Sequence, residues 1–550
     1  MNASDTHDRM PAITTPATSS ASWLGFVKVI LLASPAFLPI YFHYALAEPG
    51  QVATGALIKD SPYYLANARE YFDTDSFSLF YGNPNDFNRN TPRIYFQPQT
   101  LLLGAVWRAT GVPLMSLYYG FGFAWSLALV AVALRLLAAV VRPIPGVPWL
   151  LLQILFIWGG GVLAVTGLLA YWPGDIFAFD PFNGWWFLNL GRNMVMPFEA
   201  YYHAVFLGCI LLLIQERYSA ALLAAGLLSM SHPFTGVQLL LVVVSYLGFE
   251  RFYLRRPTVP LQAVWIAVGL LAVHLGYYLF LLPRFPVHSS IHEAWKESWT
   301  YEIEHMVLAY GPVAVFALWN ARRPELAVRW LSSPAVRLLL CWALVSFVLA
   351  NHEFLIKKPI QPLHFTRGYV WTPLFLLASP TILDILEKLW AARSRPVCIA
   401  TLAAGMVMGI SDNLLWIASH AAPQSKVRSG VYLTEDQHHV LRWLAAHSTT
   451  DTVLVASEPT VMYFATADTP CRSWFAHYNC TPEAKARVQE LEDFFLKGKG
   501  QDAWDGMPLM IAAHPGFLPR IDAWMAERSQ RIEEVCSTPS LVLYAVRPAQ

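Results

Sequence analysis

Asp60 lies near the start of a polar, aromatic stretch with helical spacing, Ile58–Phe72, which reads IKDSPYYLANAREYF. The stretch follows shortly after the first apolar segment. Pro62 suits the first turn of a helix, and three apolar residues share one helical face: Leu65, Ala68 and Phe72. Asp60 would then lie at the start of this helix, beside Tyr63 and Tyr64. Its carboxylate either caps the helix or serves as a base facing a cleft, where the two tyrosines could contact a sugar or an acceptor.

A basic cluster lies far along the chain, in the segment KKPIQPLHFTRGYVW that leads into a late apolar segment. Its cationic candidates are Lys357, Lys358, His364 and Arg367. Arginine suits bidentate contact with a phosphate, and lysine and histidine add positive charge. We therefore expect this cluster to bind a phosphate at the membrane surface, with contact to lipid headgroups as the alternative.

Further acids are spread over the polar loops. Asp175 and Asp180 lie among tryptophan and phenylalanine residues, a composition that suits either carbohydrate binding or an interfacial aromatic belt. The remaining acids of the first polar loop, which lie among Ser, Asn and Gly, are interpreted as solvated turn residues: Asp73, Asp75 and Asp86.

Glu199 and His203 are four positions apart, so they would face the same way on a helix. They could form a metal pair, bind a substrate hydroxyl, or simply satisfy each other. His232 lies between two apolar arms at Ser231-His232-Pro233, where an interior proline breaks the helix. We interpret it as a structural partner for main-chain groups at that break.

The composition defines what must position these residues. Of the 550 residues, 55% are hydrophobic and 14% are charged, whereas soluble chains carry about 25% charged residues. The net charge is +1, which does not suit nucleic-acid binding. The fold class predicted is a mainly α polytopic membrane protein of about eleven spans, listed here: Trp23–Ala47, Leu114–Leu134, Pro148–Ala170, Met196–Ile214, a hairpin of two short helices meeting at His232, Leu261–Leu282, His305–Trp319, Pro334–Leu349, Tyr369–Ile385 and Val397–Ile417.

Lysine and arginine concentrate in one set of short loops, which the positive-inside rule assigns to the cytoplasm. The N-terminus is then cytoplasmic, and the long acidic and aromatic loops are extracytoplasmic. The predicted domains are a disordered tail (1–22), a transmembrane domain (23–418) with a large first outer loop (48–113), and an extracytoplasmic domain (419–550). The expected location is the bacterial cytoplasmic (inner) membrane.

Residues 419–550 alternate helical and strand patterns, which predicts a small α/β domain. Strands are expected at DTVLVASE, PLMIAAH and SLVLYAV, and helices at EDQHHVLRWLAAHS and ELEDFFLKG. Cys471 and Cys480 lie in this domain, either as a disulfide or as two free thiols.

Four short features follow one another along the chain: Asp-x-x-Tyr-Tyr-Leu-x-x-Ala-Arg from Asp60, a helix after Gln-Pro, the Ser-His-Pro break, and His-x-x-Arg-x-Tyr from His364. With the extracytoplasmic tail, this order resembles the integral-membrane GT-C-fold glycosyltransferases, in particular bacterial members related to protein mannosyltransferases. Many members carry two adjacent acids at the first motif, where this chain has Lys59 and Asp60.

The resemblance implies transfer of a sugar from a polyprenyl-phosphate-linked donor to a glycan, lipid or protein acceptor on the outer face. It implies that Asp60 is the catalytic acid and that Arg367, with His364, holds the lipid phosphate. It makes no cofactor certain, and a divalent cation, Mg²⁺ or Mn²⁺, stays open. The rival interpretations are a polytopic transporter and a non-catalytic protein of cell-envelope glycolipid or polymer assembly.

Overall fold

The structure is a computed structural model. It describes residues 23–73, 77–171, 187–294, 303–322, 328, 331–357, 359–391, 395–422 and 430–549. Three of the candidate site residues of the sequence lie outside the described residues: Lys358, Asp175 and Asp180.

Helices make up most of the described chain. Their bounds are Trp23–Ala33, Leu38–Ala45, Ser61–Glu70, Pro98–Thr110, Leu114–Val140, Trp149–Trp158, Leu163–Tyr171, Leu190–Val195, Pro197–Ile214, Tyr218–Ser231, Pro233–Gly248, Leu261–Leu275, Pro286–Ala294, Ile303–Ala321, Pro334–Ala350, Trp371–Ala391, Arg395–Ala421, Glu435–His447, Pro459–Asp468, Ala484–Lys497 and Leu518–Glu527.

In the described part of the chain, six helices are long and apolar enough to cross a membrane: Trp23–Ala45, Leu114–Val140, Pro197–Ile214, Pro233–Tyr253, Leu261–Arg284 and Pro396–Ala421. Shorter apolar helices accompany them: Trp149–Trp158, Tyr218–Ser231, Ile303–Trp319 and Pro334–Ala350. These lengths and compositions are those of a multi-pass membrane protein.

The third predicted span, Pro148–Ala170, is wrong as one continuous helix. The chain forms helices Trp149–Trp158 and Leu163–Tyr171 and breaks between them at three consecutive glycines. The Gly160 N–H donates to the Gly409 carbonyl, and a Cβ at Gly161 would collide with the main chain of Leu308 and Ala309. The break therefore allows two other segments to approach the main chain closely.

The predicted helical hairpin at His232 is confirmed. Helices Tyr218–Ser231 and Pro233–Gly248 fold back on each other, and a Cβ at Gly236 would lie 2.6 Å from the Ser229 Cα. The His232 Nδ1 accepts the Thr235 N–H, so the imidazole caps the second helix. His232 thus has the structural role expected of it.

The chain divides into two compact units. The helical unit comprises the described residues of Met1–Pro39, Gly120–Gly276 and Ser298–Arg428. The sheet unit comprises those of Ile40–Tyr119, Tyr277–Glu297 and Ser429–Gln550. This division differs from the predicted domains, because residues of the first outer loop belong to the same compact unit as the C-terminal residues.

The sheet unit contains seven strands in the described residues, numbered in chain order: β1 (Gln51–Ala53), β2 (Tyr432–Thr434), β3 (Val453–Ala456), β4 (Arg472–Ser473), β5 (Leu509–Ala513), β6 (Ile532–Ser537) and β7 (Val542–Val546). Five of them form a mixed sheet in the order β4-β3-β5-β7-β6. β3 is buried throughout and pairs in parallel with β4 and β5, whereas β7 is antiparallel to β5 and β6. The predicted α/β architecture and its three predicted strands are confirmed.

Residues 48–113 are joined to the C-terminal residues by strand pairing and by a buried ion pair. β1 pairs antiparallel with β2, so that Gln51 opposes Thr434. Arg472 donates to the Glu70 carboxylate at 2.6 Å, and both side chains are buried. A buried ion pair broken at one partner leaves an uncompensated charge, so this contact makes the two segments depend on each other.

Asp86 is the clearest correction to the sequence interpretation of the outer loop. It is buried, and its carboxylate accepts a hydrogen bond from Arg487 at 2.8 Å. The solvated-turn interpretation was wrong because its partner lies 401 positions away. Asp73 also has a partner, since it accepts from Arg69 one helical turn earlier at 3.3 Å.

Candidate functional site

The helix Ser61–Glu70 positions Asp60. It begins with Pro62 in its first turn, and most of its residues, including Leu65 and Ala68, are buried. It packs against Pro98–Thr110, where Gly104 lies directly under the Ala68 carbonyl. A contact this close excludes any larger side chain at Gly104. It therefore fixes the distance between the two helices and, with it, the position of the helix that Asp60 precedes.

Asp60 does not cap the helix that it precedes. Although it occupies the N-cap position, its side chain makes no capping hydrogen bond to the first turn. Instead, Oδ1 lies 3.2 Å from Nε2 of His477, and 56% of the Asp60 side chain is exposed. Of the two interpretations of Asp60, the structure therefore disfavours the helix cap. The carboxylate is accessible to solvent and is held in place by His477.

The residues around this carboxylate form the Asp60 cluster, defined as Asp60, Tyr63, Tyr463, His477 and Cys480. The His477 ring lies 5.8 Å from the Tyr63 ring and 5.5 Å from the Tyr463 ring, centroid to centroid. The Tyr463 hydroxyl donates to the carbonyl of Lys59, the residue before Asp60. Aromatic rings thus surround the imidazole while the carboxylate stays exposed.

Burial on its own lowers the pKa of His477, but the Cys480 side chain and the Asp60 carboxylate outweigh this effect and raise that pKa to about 10. Burial raises the pKa of Tyr63 well above its ordinary value, and the neighbouring Cys480 acts in the same direction. Burial, followed by the charge of Asp60, does the same to the pKa of Tyr463. At neutral pH the cluster therefore holds neutral phenols next to a charged pair.

Tyr63 and Tyr64, predicted to contact a sugar or acceptor, do lie next to Asp60 in the structure. Their rings are 5.3 Å apart, and Tyr64 stacks on Tyr118 at 6.2 Å. Both are half-buried, which leaves aromatic surface accessible beside the carboxylate. Their binding role stays a prediction.

A second set of candidate residues meets in the helical unit and is named the Arg367 cluster: Glu199, His203 and Arg367. The Arg367 guanidinium donates to the Glu199 carboxylate, and both are buried. His203 Nδ1 lies 3.8 Å from Glu199 Oε2, as the four-residue spacing predicts. Buried charge is costly and usually serves a purpose, so this cluster is a second candidate site.

The main chain at Arg367 is held in an uncommon conformation. Its φ is +23°, and that of the next residue, Gly368, is +86°. The Arg367 carbonyl accepts hydrogen bonds from Asn193 Nδ2 at 2.7 Å and from His203 Nε2 at 2.6 Å. A non-glycine residue with positive φ costs free energy, and such strain is concentrated at functional sites.

The other predicted phosphate ligands do not all join this cluster. His364 is buried and stacks on Phe234 at 4.2 Å, with its ring 6.0 Å from that of His232. Lys357 is exposed. The structure therefore places His364 next to the helical hairpin and leaves the role of Lys357 a prediction.

Cys471 and Cys480 are separate buried thiols, so the disulfide alternative is not the one found. Each has a different local partner: Cys471 Sγ lies 2.8 Å from Thr469 Oγ1, whereas the Cys480 N–H donates to the His477 carbonyl at 3.0 Å. In the described chain, no three His, Cys, Asp or Glu side chains are grouped as ligands for a metal ion.

No protein-family model matches the sequence, and no curated protein matches it. Solved structures similar to the chain include the archaeal oligosaccharyltransferase AglB from Archaeoglobus fulgidus, in complex with an inhibitory peptide and a dolichol-phosphate. This match has a TM-score of 0.49 and 10% identity over 90% of this chain and 70% of that one.

Two further similar structures are the arabinofuranosyltransferase AftD from Mycobacteria and ArnT from Cupriavidus metallidurans bound to undecaprenyl phosphate. For AftD the TM-score is 0.47, with 14% identity over 97% of this chain and 40% of that one. For ArnT it is 0.45, with 12% identity over 95% and 98%.

His477, Tyr463 and Asn193 are the site residues that sequence reasoning missed. His477 and Tyr463 contact the Asp60 segment from more than 400 positions away, and no local pattern encodes such a distance. The nearest signal was the aromatic and polar run WFAHYNC, which stands out within the C-terminal residues.

Proposed function

We propose that this protein is a membrane glycosyltransferase that moves a sugar from a polyprenyl-phosphate-linked donor to an acceptor on the extracytoplasmic face. The observation that carries this proposal is the Asp60 carboxylate, which is exposed, does not cap its helix and is held by His477. A carboxylate that is exposed and fixed in direction by a hydrogen bond suits a general base.

In the proposed reaction, Asp60 accepts the proton of an acceptor hydroxyl as its oxygen attacks the anomeric carbon. The bond between that carbon and the donor phosphate oxygen breaks, and the polyprenyl phosphate leaves with the electron pair. A single displacement inverts the anomeric centre. Tyr63 and Tyr64 offer aromatic surface beside the base, on which a sugar ring can pack.

We propose the Arg367 cluster as the place in the helical unit where the donor phosphate binds. Arginine is the side chain best suited to a phosphate, and its guanidinium is preorganised here by the strained main chain and by Glu199. A phosphate would compete with the Glu199 carboxylate for this guanidinium. Lys357 and Lys358 would add positive charge, and the buried His364 would contact the phosphate as a neutral imidazole. Glu199, His203, Asp175 and Asp180 would contact the sugar or acceptor.

Polyprenyl phosphates are the natural probes for this proposal, since AglB and ArnT were solved with dolichol-phosphate and undecaprenyl phosphate. Protein reconstituted in lipid nanodiscs is offered undecaprenyl phosphates that carry arabinose, mannose or glucose, together with a bacterial membrane extract as the acceptor source. Release of undecaprenyl phosphate is measured by mass spectrometry. The proposal predicts release with at least one donor and its loss in Asp60→Asn.

The matched control is Asp493→Asn, which makes the same change in an exposed carboxylate of the sheet unit that pairs with Lys497. Wild-type activity is expected in this control. Absence of turnover with every donor, or full turnover by Asp60→Asn, would contradict the proposed function or the assignment of the base, respectively.

A further inference from the structure

The C-terminal residues contribute one side chain to the Asp60 carboxylate. His477 follows β4, and its Nε2 reaches Oδ1 of Asp60 at 3.2 Å across 417 positions of sequence. Only 13% of the His477 side chain is exposed, against 56% of that of Asp60. The imidazole is thus the buried, fixed partner, and the carboxylate is the accessible one.

The hydrogen on His477 Nε2 is defined by its surroundings. The Asn479 N–H lies 3.2 Å from Nδ1 and can donate to it when the ring is neutral, which places the single ring hydrogen on Nε2. When the ring is charged, as the nearby carboxylate favours, both nitrogens carry hydrogen. In either state Nε2–H faces the Asp60 carboxylate and donates to it.

The ring cannot swing away from this position easily. The Tyr63 and Tyr463 rings lie within 6 Å of it, centroid to centroid, and Tyr463 is itself anchored to the Lys59 carbonyl. The His477 carbonyl also accepts the N–H groups of Cys480 and Thr481 at 3.0 and 2.8 Å. Contacts on both the ring and the main chain therefore hold the imidazole in one orientation.

We propose that His477 is a positioning residue for Asp60, a part of the site that the C-terminal residues supply to the first outer loop. Its Nε2–H bond directs the carboxylate and favours the ionised form, which is the form that can accept a proton. This inference rests on the proposed function. The proteins that this sequence resembles often carry a second acid beside the first, where this chain has Lys59. We assign the support of Asp60 to a hydrogen-bond donor from a distant segment, His477.

The test compares His477→Ala with His477→Gln, because glutamine keeps an N–H donor and alanine does not. Release of undecaprenyl phosphate is followed against pH and against donor concentration. His477→Ala is expected to lower kcat roughly tenfold or more with little change in the donor KM. The acidic limb of the pH–rate profile of this variant should move to higher pH by about one to three units, since the carboxylate loses a hydrogen-bond donor that stabilises its ionised form. His477→Gln should recover part of both effects.

The groups that face His477 are Asp60, Cys480, Tyr63 and Tyr463. Cys480→Ser is therefore measured in parallel, to separate a change in the thiol from a change in the carboxylate. A further control, His447→Gln, alters an exposed histidine whose ring hydrogen-bonds to the Trp443 carbonyl of its own helix, and it should behave as wild type.

The outcomes separate this inference from the proposed function. An inactive Asp60→Asn with unaltered kcat and acidic limb in His477→Ala overturns the positioning role and leaves the function in place. Full activity in Asp60→Asn overturns the assignment of Asp60 as the base and, with it, the positioning role of His477. If the wild type turns over no donor, both the function and the inference are wrong. A reduced kcat with a raised acidic limb, partly restored by glutamine, supports the inference.

Discussion

Arg367 and Glu199 form an ion pair inside the helical unit, with only 9% and 10% of their side chains exposed. The pair connects the helix Pro197–Ile214 to the segment that leads into Trp371–Ala391. Removing one partner leaves a buried charge with no compensation, whereas removing both charges relieves that cost. The pair can therefore be examined both as a structural contact and as a phosphate site.

Glu199→Gln and Arg367→Gln should each lower the free energy of unfolding by about 3–5 kcal/mol, because each leaves the charge of the other partner buried without compensation. The double variant should recover part of this loss. Thermal unfolding in detergent, followed by tryptophan fluorescence, measures the cycle. The control Asp384→Asn breaks an exposed pair with Lys388 and should cost less than about 1 kcal/mol. Additive single effects would contradict coupling.

The same cycle tests the phosphate role of Arg367. Undecaprenyl phosphate should raise the unfolding temperature of the wild-type protein, since a ligand that binds only the folded state stabilises it. The increase should be lost in Arg367→Gln and retained in Asp384→Asn. An equal increase in Arg367→Gln would show that the phosphate binds elsewhere.

Asp60→Asn should lower the rate of sugar release about 10²- to 10⁴-fold, the usual contribution of a general base. Because the carboxylate accepts a hydrogen bond from the buried His477 and does not cap its helix, the change should cost about 1.5–3 kcal/mol of stability. Turnover and unfolding temperature are measured on the same preparations. A loss of activity accompanied by a large loss of stability would point to a structural role for Asp60.

Elements encoded by nearby residues were predictable from the sequence. Pro62 and the spacing of Leu65 and Ala68 indicated the helix that Asp60 precedes, and His232 with Pro233 indicated the hairpin. The strands β3, β5 and β7 followed from short apolar runs. In each case the physical cause, either a restricted dihedral angle or a periodic apolar face, lies within a few residues.

The contacts of the site were not predictable, because their partners are distant in the sequence. Asp86 lies among residues typical of turns, so its local sequence indicates exposure. It is buried because Arg487, a distant residue, neutralises its charge. Asp60 and His477 are likewise joined only by the tertiary fold. The broken span at Gly159-Gly160-Gly161 was missed for a related reason: glycine adds little to an apolar count, but it permits close main-chain contact.

Gly104→Ala should destabilise the protein by about 1–3 kcal/mol, because a Cβ there would collide with the Ala68 carbonyl of the helix Ser61–Glu70. Displacing this helix also displaces Asp60, so the rate of sugar release should fall. The matched control is Gly120→Ala, a helical glycine with open space around its Cβ position, which should be neutral or slightly stabilising. Equal effects of the two substitutions would rule out close packing as the cause.

The pH dependence of stability tests the charged pair of His477 and Asp60 without any substrate. The folded pKa of His477 is raised from 6.5 to about 10, so the folded state binds the proton more tightly than the unfolded state. The resulting stabilisation is complete below about pH 6.5 and is lost as the pH rises through about 10. The difference in unfolding temperature between wild type and His477→Gln should therefore be largest near pH 6 and shrink towards pH 10, whereas His447→Gln should show no such trend. A difference that stays constant over this range would mean that His477 packs against Asp60 without charge.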